Sequence, residues 1–330
     1  TDVPVQSMMG LARELGPIYR LTLPQTEKLV VSSHELVEQL EDQERFRKVI
    51  YGPLEDIRDF AGDGLFTAHT DEPNWGKAHR ILMPAFGQVA LRDYFDPMVD
   101  IADQMLTKWE RLGSDTRLDV ADNMTRLTLD TIALCGFDYR FNSFYRSDMH
   151  PFVASMVRAL EEAGARSRRL PFQTRLMPWS RRQYVEDIEF MNEVVDEVIA
   201  ERKRQPDEEE PSDLMGRMLE SRDPENGERL DDVHIRNQIV TFLIAGHETT
   251  SGLLSFTVHQ LLKHRDVLAR AQREADEVLG DGPPRFEDLS ELTYIEQVLR
   301  ESLRLWPTAP AYAVEPTEET VLRSGRQRYE

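Results

Sequence analysis

The sequence predicts a mainly α-helical protein with a small β-sheet, and three observations carry that expectation. Apolar residues recur at spacings of three and four along most of the 330 residues. Few glycines or prolines interrupt those stretches. The alternating, β-branched runs that mark strands are confined to the N-terminal stretch and the tail. With 40% apolar and 30% charged residues, the chain has enough apolar side chains for a sizeable core.

The elements follow in chain order. Ile18 to Leu23 alternates moderately, and Lys28 to Ser32 is short and β-branched. Pro24-Gln25-Thr26-Glu27 between them reads as a hairpin turn. Gly62-Asp63-Gly64-Leu65-Phe66 is a glycine-rich turn ending in an aromatic, suited to one wall of a pocket. In Asn74 to Arg80, Trp75 and His79 are four apart and share a helix face. Both rings carry donors that could meet an anionic ligand, although for the pair in isolation packing of the Trp on its helical neighbour is the favoured reading. Met98, Ile101, Met105 and Trp109 form one amphipathic stripe, and Tyr184, Ile188, Met191, Val195 and Val198 another. The arginines at 166, 168, 169, 175, 181 and 182 read as a solvated loop between helices. Gln205 to Pro211, Asp223 to Gly227 and Gly280 to Pro284 read as loops, none long enough for a domain linker. Val267, Leu268, Ala271, Ala275 and Val278 form a third stripe, and Ala313 to Leu322 could add strand.

Composition excludes several classes. A formal charge of −20 argues against sequence-independent nucleic-acid binding, which needs a basic face. No apolar run approaches a membrane span, and the start, Thr1-Asp2-Val3-Pro4, has no basic or apolar leader pattern. The single cysteine, Cys135, leaves no internal disulfide and no Cys-Cys zinc site, which points to a reducing cytoplasm. The non-Met start and the polar end at Arg326 to Glu330 read as a segment of a longer chain, or as trimmed or disordered ends.

Asp231 to His264 holds no proline and only two glycines, Gly246 and Gly252. As one helix it would span roughly 50 Å at ~1.5 Å per residue. Before Gly246 it is apolar almost all round, as in a helix that crosses the middle of a protein. Then comes Ala245-Gly246-His247-Glu248-Thr249-Thr250-Ser251, a polar patch that is costly in mid-core unless something uses it. Ala245 and Thr249 share a face, Gly246 leaves space beside them, and a Thr hydroxyl can bond the carbonyl four residues back and open the helix. A groove holding a hydroxyl and a carboxylate would suit a small polar ligand and proton transfer. A helix kink with its polar residues turned to solvent is the alternative. A zinc-protease reading of His247-Glu248 fails, because the second histidine position holds Ser251. Thr293 to Trp306 reads as a further helix stopped by Pro307, with Glu301 and Arg304 three apart and an aromatic, proline-rich exit that argues for a buried, fixed helix end.

In this order the three constellations resemble the haem-thiolate monooxygenases, the cytochrome P450 superfamily. Ala245 to Thr250 resembles its oxygen-activating helix, Glu301-Ser302-Leu303-Arg304 its Glu-x-x-Arg helix, and Trp75 with His79 its propionate-binding helix. Arg58 to Thr67, Met124 to Thr131 and Arg304 to Pro310 resemble more narrowly the bacterial self-sufficient fatty-acid hydroxylases, whose haem domain is fused to a flavin reductase. The resemblance covers essentially the whole chain. It implies a cytochrome P450 fold, incomplete at both ends, with 1–330 forming part of a haem domain and any reductase outside it.

The resemblance also implies cofactors, partners and roles. Haem b is the implied cofactor, with electrons from NADPH through FMN and FAD of a fused or partner reductase. O2 and a hydrophobic small molecule, foremost a long-chain fatty acid, are the implied substrates. Lys48, Trp75 and His79 would hold the haem propionates, with Leu65 also against the cofactor. Ala245 and Gly246 would lie over the iron, Thr249 would donate a hydrogen bond at the oxygen site, and Glu248 would relay protons. Phe66, Ala309 and Pro310 would shape the substrate cavity, and Glu301 with Arg304 would be structural.

Two departures stand out. The superfamily's iron ligand is a cysteine in a loop downstream of Glu-x-x-Arg, and these 330 residues contain no match to that loop. Cys135, in an apolar helix followed by Gly136, is no substitute. Where the fatty-acid hydroxylases carry a carboxylate-binding Arg and Tyr, the matching positions here are Thr26 and Val30, with Lys28 nearby. The rival readings are an inert helical scaffold or ligand-binding protein that takes up no haem, and a peroxygenase, against which the Glu248-Thr249 pair counts.

Overall fold

A computed structural model describes residues 4–23, 26–166, 169, 177–204 and 213–329. They divide into two compact units, Thr1–Ile50 with Ala309–Glu330, and Tyr51–Thr308.

The first unit holds helices α1 (Pro4–Leu15) and α2 (His34–Leu40) and the strands, β1 (Ile18–Leu23), β2 (Thr26–Val31), β3 (Phe46–Lys48), β4 (Val314–Pro316), β5 (Leu322–Ser324) and β6 (Gln327–Tyr329). β1 and β2 pair antiparallel, with Ile18 opposite Val31 and Leu21 opposite Lys28. That is the expected hairpin, although Pro24 and Gln25 of its turn lie outside the described residues. The expected single sheet is corrected: among the described residues three separate two-stranded sheets form, β1-β2, β3-β4 and β5-β6. β3 joins the tail through Lys48 opposite Val314 and Phe46 opposite Pro316. Three residues are too few to show an alternating pattern, so this strand has no sequence signal.

The second unit is helical. It runs through α3 (Pro53–Ala61), α4 (Pro73–Leu82), α5 (Gln88–Asp93), α6 (Phe95–Leu112), α7 (Val120–Phe137), α8 (Pro151–Arg166), α9 (Pro178–Arg204), α10 (Leu214–Glu220), α11 (Asp232–Lys263), α12 (Arg265–Leu279) and α13 (Thr293–Leu305). α11 is the expected long helix. Asp231 caps its N-terminus by accepting from the His234 amide at 2.9 Å. Its core-facing residues Ile235, Ile239, Val240 and Leu243 join Leu129 of α7, Phe152 and Met156 of α8, and Met191 of α9 in the main core. Thus Met191, Val195 and Tyr184 bury one face of α9, and Ile101 and Met105 bury one face of α6, as their spacing predicts. Polar bonds fix α7: buried Arg126 donates to Ser143 O at 2.7 Å, and buried Asp130 accepts from the Ser143 amide and hydroxyl at 2.8 and 2.6 Å.

The arginine cluster is more than a solvated loop. Arg166 lies 3.8 Å above the Tyr184 ring and pairs with Glu162, which also accepts from Arg169 at 2.7 Å. Both arginines serve as packing pieces between α8 and α9, and their spacing in sequence gives no hint of the ring beneath. Arg168, Arg175 and the loop Gln205 to Pro211 lie outside the described residues.

Candidate functional site

α11 presents two different faces around its polar patch. Ala245, Glu248 and Thr249 are exposed, whereas His247 is 1% exposed. The His247 carbonyl accepts from Thr128 Oγ1 of α7 at 2.9 Å, and its Nδ1 meets Leu243 O at 2.6 Å. Burial holds the imidazole below its ordinary pKa, so it sits neutral in the core. The Thr249 hydroxyl donates to Ala245 O at 2.8 Å. This is the back-bond its spacing allowed, yet the helix continues unbroken over 32 residues.

Gly246 is corrected. It was expected to leave open space beside Ala245 and Thr249. A methyl there would instead lie 3.0 Å from Ile132 Cγ1 of α7. The missing side chain lets two helices approach, and Ile132 fills the space. At Gly252 the chain after α13 comes equally close, and a methyl would lie 2.8 Å from Thr308 Cγ2.

α4 brings Trp75 and His79 together. Their rings stack at 5.1 Å with an interplanar angle of 19°. Both are half-buried, and among the described residues no hydrogen bond engages either ring. Packing on each other therefore does not exclude donation outward. Pro73 starts the helix, and Arg80 ties its end to the 223–227 turn by donating to both Asp223 oxygens at 2.7 and 2.6 Å. That pairing pulls the Asp223 carboxyl down to about 2.

The 62–67 turn is closed by Thr67 Oγ1 donating to Gly62 O at 2.8 Å and by Arg58, which bonds Thr67 O at 2.5 Å and Glu72 at 2.6 Å. Asp63 accepts from Asn74 at 2.8 Å and from Asn237 at 2.9 Å, and pairs with His234 at 3.2 Å. Those bonds hold its carboxyl below the usual range against the opposing effect of burial. The Leu65 amide donates to Gln238 Oε1 at 3.0 Å, and Phe66 stands 48% exposed. The roles of Asp63, Asn237, Gln238 and His234 escaped sequence reasoning. The Gly-Asp-Gly turn signalled a tight bend, but its docking on α11 joins residues too distant in sequence for periodicity to reveal.

Glu301 and Arg304 form a bidentate pair, with Nε and Nη2 donating to the two carboxylate oxygens at 2.7 Å each. The pair lowers the glutamate pKa and raises that of the arginine. The expected buried helix end is corrected: Glu301, Arg304, Leu305 and Trp306 are exposed, because no described residues cover this face of α13. Only the inward side is packed, with Trp306 stacked on Phe256 of α11 at 5.2 Å.

Lys48, Ala309 and Pro310 belong to the first unit. Lys48 ends β3, while Ala309 and Pro310 are exposed. Lys28 and Val30 are half-buried on one face of β2, and desolvation lowers the lysine pKa.

A haem group would need hydrogen-bond donors facing its propionates and a thiolate for its iron. The stacked donors of α4 suit the first requirement, since both ring N–H groups are free of partners among the described residues. Cys135 does not suit the second. It is buried with Ala90 and Tyr94, its Sγ lies 3.6 Å from Tyr94 O, and burial pushes its thiol up to about 12.

Comparison with known proteins finds one family. The family model for cytochrome P450 matches residues 1–324. The bifunctional cytochrome P450/NADPH–P450 reductase 1 of Bacillus subtilis (strain 168) is 56% identical over 321 residues, covering 97% of this chain and 30% of that protein. A bifunctional cytochrome P450/NADPH–P450 reductase of Bacillus cereus is 54% identical over 321 residues, with the same coverage. A self-sufficient cytochrome P450 monooxygenase of Phanerodontia chrysosporium is 48% identical over 325 residues, covering 98% of this chain and 31% of that protein. The chain thus spans about 30% of the length of these curated relatives.

Proposed function

We propose, since the chain belongs to the cytochrome P450 family, that residues 1–330 form part of the haem domain of a monooxygenase that inserts one oxygen atom of O2 into an unactivated C–H bond of a hydrophobic substrate. The observation that carries this reading is the conjunction on one unit of exposed Ala245, Glu248 and Thr249 with the stacked donors of Trp75 and His79. Electrons would come from NADPH through a flavin reductase carrying FMN and FAD, fused as in the bifunctional relatives or acting as a partner. A cytoplasmic setting supplies that reductant.

Haem, when bound, would supply the redox chemistry that activates dioxygen. The chain's own residues bind, orient and move protons. Trp75 and His79 would donate to the propionates through their ring N–H groups. Leu65 would lie against the cofactor. Ala245 keeps the exposed face of α11 low, leaving room above it. Thr249 holds its hydroxyl on the Ala245 carbonyl, and rotating that proton toward a ligand makes it a donor. Glu248, exposed beside it, exchanges protons with solvent and reloads the relay. Phe66 would wall the substrate cavity. Glu301 and Arg304 form a rigid planar pair suited to holding a covering loop.

Long-chain fatty acids are the substrate class to test first. Thr26 and Val30 cannot supply a strong carboxylate anchor, so chain burial rather than head-group pairing would dominate affinity. The full-length protein, incubated with NADPH, isotopically labelled O2 and a saturated fatty acid, should give hydroxylated acid carrying one labelled oxygen. Oxidation of NADPH without labelled product from any hydrophobic substrate contradicts the reading.

A further inference from the structure

We infer that Gln238 is the positioning residue for Phe66, fixing from α11 the side chain that decides which substrate carbon is oxidised. The inference rests on the reading of Phe66 as a wall of the substrate cavity.

Gln238 is 1% exposed, and its Oε1 accepts the Leu65 amide, one peptide before Phe66. The turn cannot slide away from this acceptor. A methyl at Gly64 would lie 2.1 Å from Thr241 Oγ1 and 2.9 Å from Asn237 O, so the turn backbone is pressed directly on α11. Gly62, at φ +51°, lies in the left-handed region that glycine tolerates, and a methyl there would strike the Asn237 amide at 2.2 Å. Asp63 adds bonds to Asn74 of α4 and Asn237 of α11 on the same turn.

One helix therefore carries both halves of the geometry. Gln238 lies seven residues before Ala245, two turns along α11, so the clamp that orients Phe66 and the Ala245–Thr249 face share one rigid element. Removing this acceptor takes away one bond that holds the turn backbone on α11, and the Phe66 side chain would shift with that backbone.

The test uses the full-length holoenzyme and a saturated fatty acid as probe. Gln238→Met keeps length and removes the acceptor, and Gln238→Glu restores an acceptor oxygen. Gln238→Met should change the ratio of product regioisomers by about 2-fold to 10-fold, the range of one net hydrogen bond, with haem content unchanged. Gln238→Glu should return the ratio toward that of the unmodified enzyme. In a Phe66→Ala background Gln238→Met should have no further effect on the ratio. If Gln238→Met proves too unstable to hold haem, Asn237→Ala releases one Asp63 bond at a half-buried position and should move the ratio in the direction of Phe66→Ala. An unaltered ratio in whichever variant holds haem, or a shift that persists in full without Phe66, overturns the inference. Absence of product from the unmodified enzyme contradicts the monooxygenase reading instead.

Discussion

Ile132 of α7 occupies the space that Gly246 of α11 leaves, so that a methyl on Gly246 would sit 3.0 Å from Ile132 Cγ1. The two helices meet along the central core, and the Thr128–His247 bond fixes their register beside this contact. Gly246 is therefore a packing residue. Gly246→Val should destabilise by about 1–3 kcal/mol through overpacking, and Ile132→Ala should recover part of the loss in the double variant. Urea unfolding of the four proteins checks this. Additive losses would show that the contact is not shared.

Much of the fold was legible because its signals are periodic. α11 and α9 bury residues their spacing marks, α6 buries Ile101 and Met105 but leaves Met98 exposed, and the β1-β2 hairpin has its expected partners. What was hidden depends on contacts distant in sequence. Nothing local shows that Ile132 fills the gap at Gly246, that Gln238 receives the Leu65 amide, or that Arg166 lies on Tyr184. Trp75 and His79 were visible as a pair, but not as a stack that leaves both donors free among the described residues. The exit after Glu301 and Arg304 is exposed where its composition suggests burial, because aromatic and proline residues signal rigidity and not which face is covered.

The stacked rings of Trp75 and His79 are expected to anchor cofactor through their ring N–H groups. Trp75→Phe and His79→Phe preserve aromatic packing and remove a donor each. Either should weaken haem retention by about 10-fold or more, as for a hydrogen bond to a charged group, with little change in thermal stability of the haem-free protein. Haem per chain after competition with apomyoglobin checks this. Full retention in both variants removes the rings from the site.

Thr249 has its hydroxyl held on Ala245 O and its neighbours exposed, as a proton-delivering group requires. Thr249→Ala should leave haem content intact and divert reducing equivalents to hydrogen peroxide. Product formation should fall by up to about 10²-fold, the lower range for one positioned proton donor. Product and peroxide measured per NADPH consumed check this, and unchanged coupling contradicts the role.

Cys135 should be inert in the folded protein. Its thiol is raised from an ordinary 9.0 to about 12 by burial, so the unfolded chain loses this proton at lower pH than the folded one. The folded state then binds more protons between those values, and stability falls as pH rises through that window, by up to about 1.4 kcal/mol per unit. Below the unfolded pKa the thiol makes no pH-dependent contribution. Cys135→Ala should flatten this alkaline slope. Native protein should resist thiol reagents at pH 8 until denatured, and rapid labelling of the native state contradicts the burial.

The most direct test of the central claim is the absorption spectrum of the full-length protein, reduced under carbon monoxide. The account predicts one haem per chain and a Soret band at the long-wavelength position produced by thiolate ligation, in Cys135→Ala as in the unmodified protein. A protein that takes up no haem, or whose thiolate signature disappears with Cys135, would contradict it.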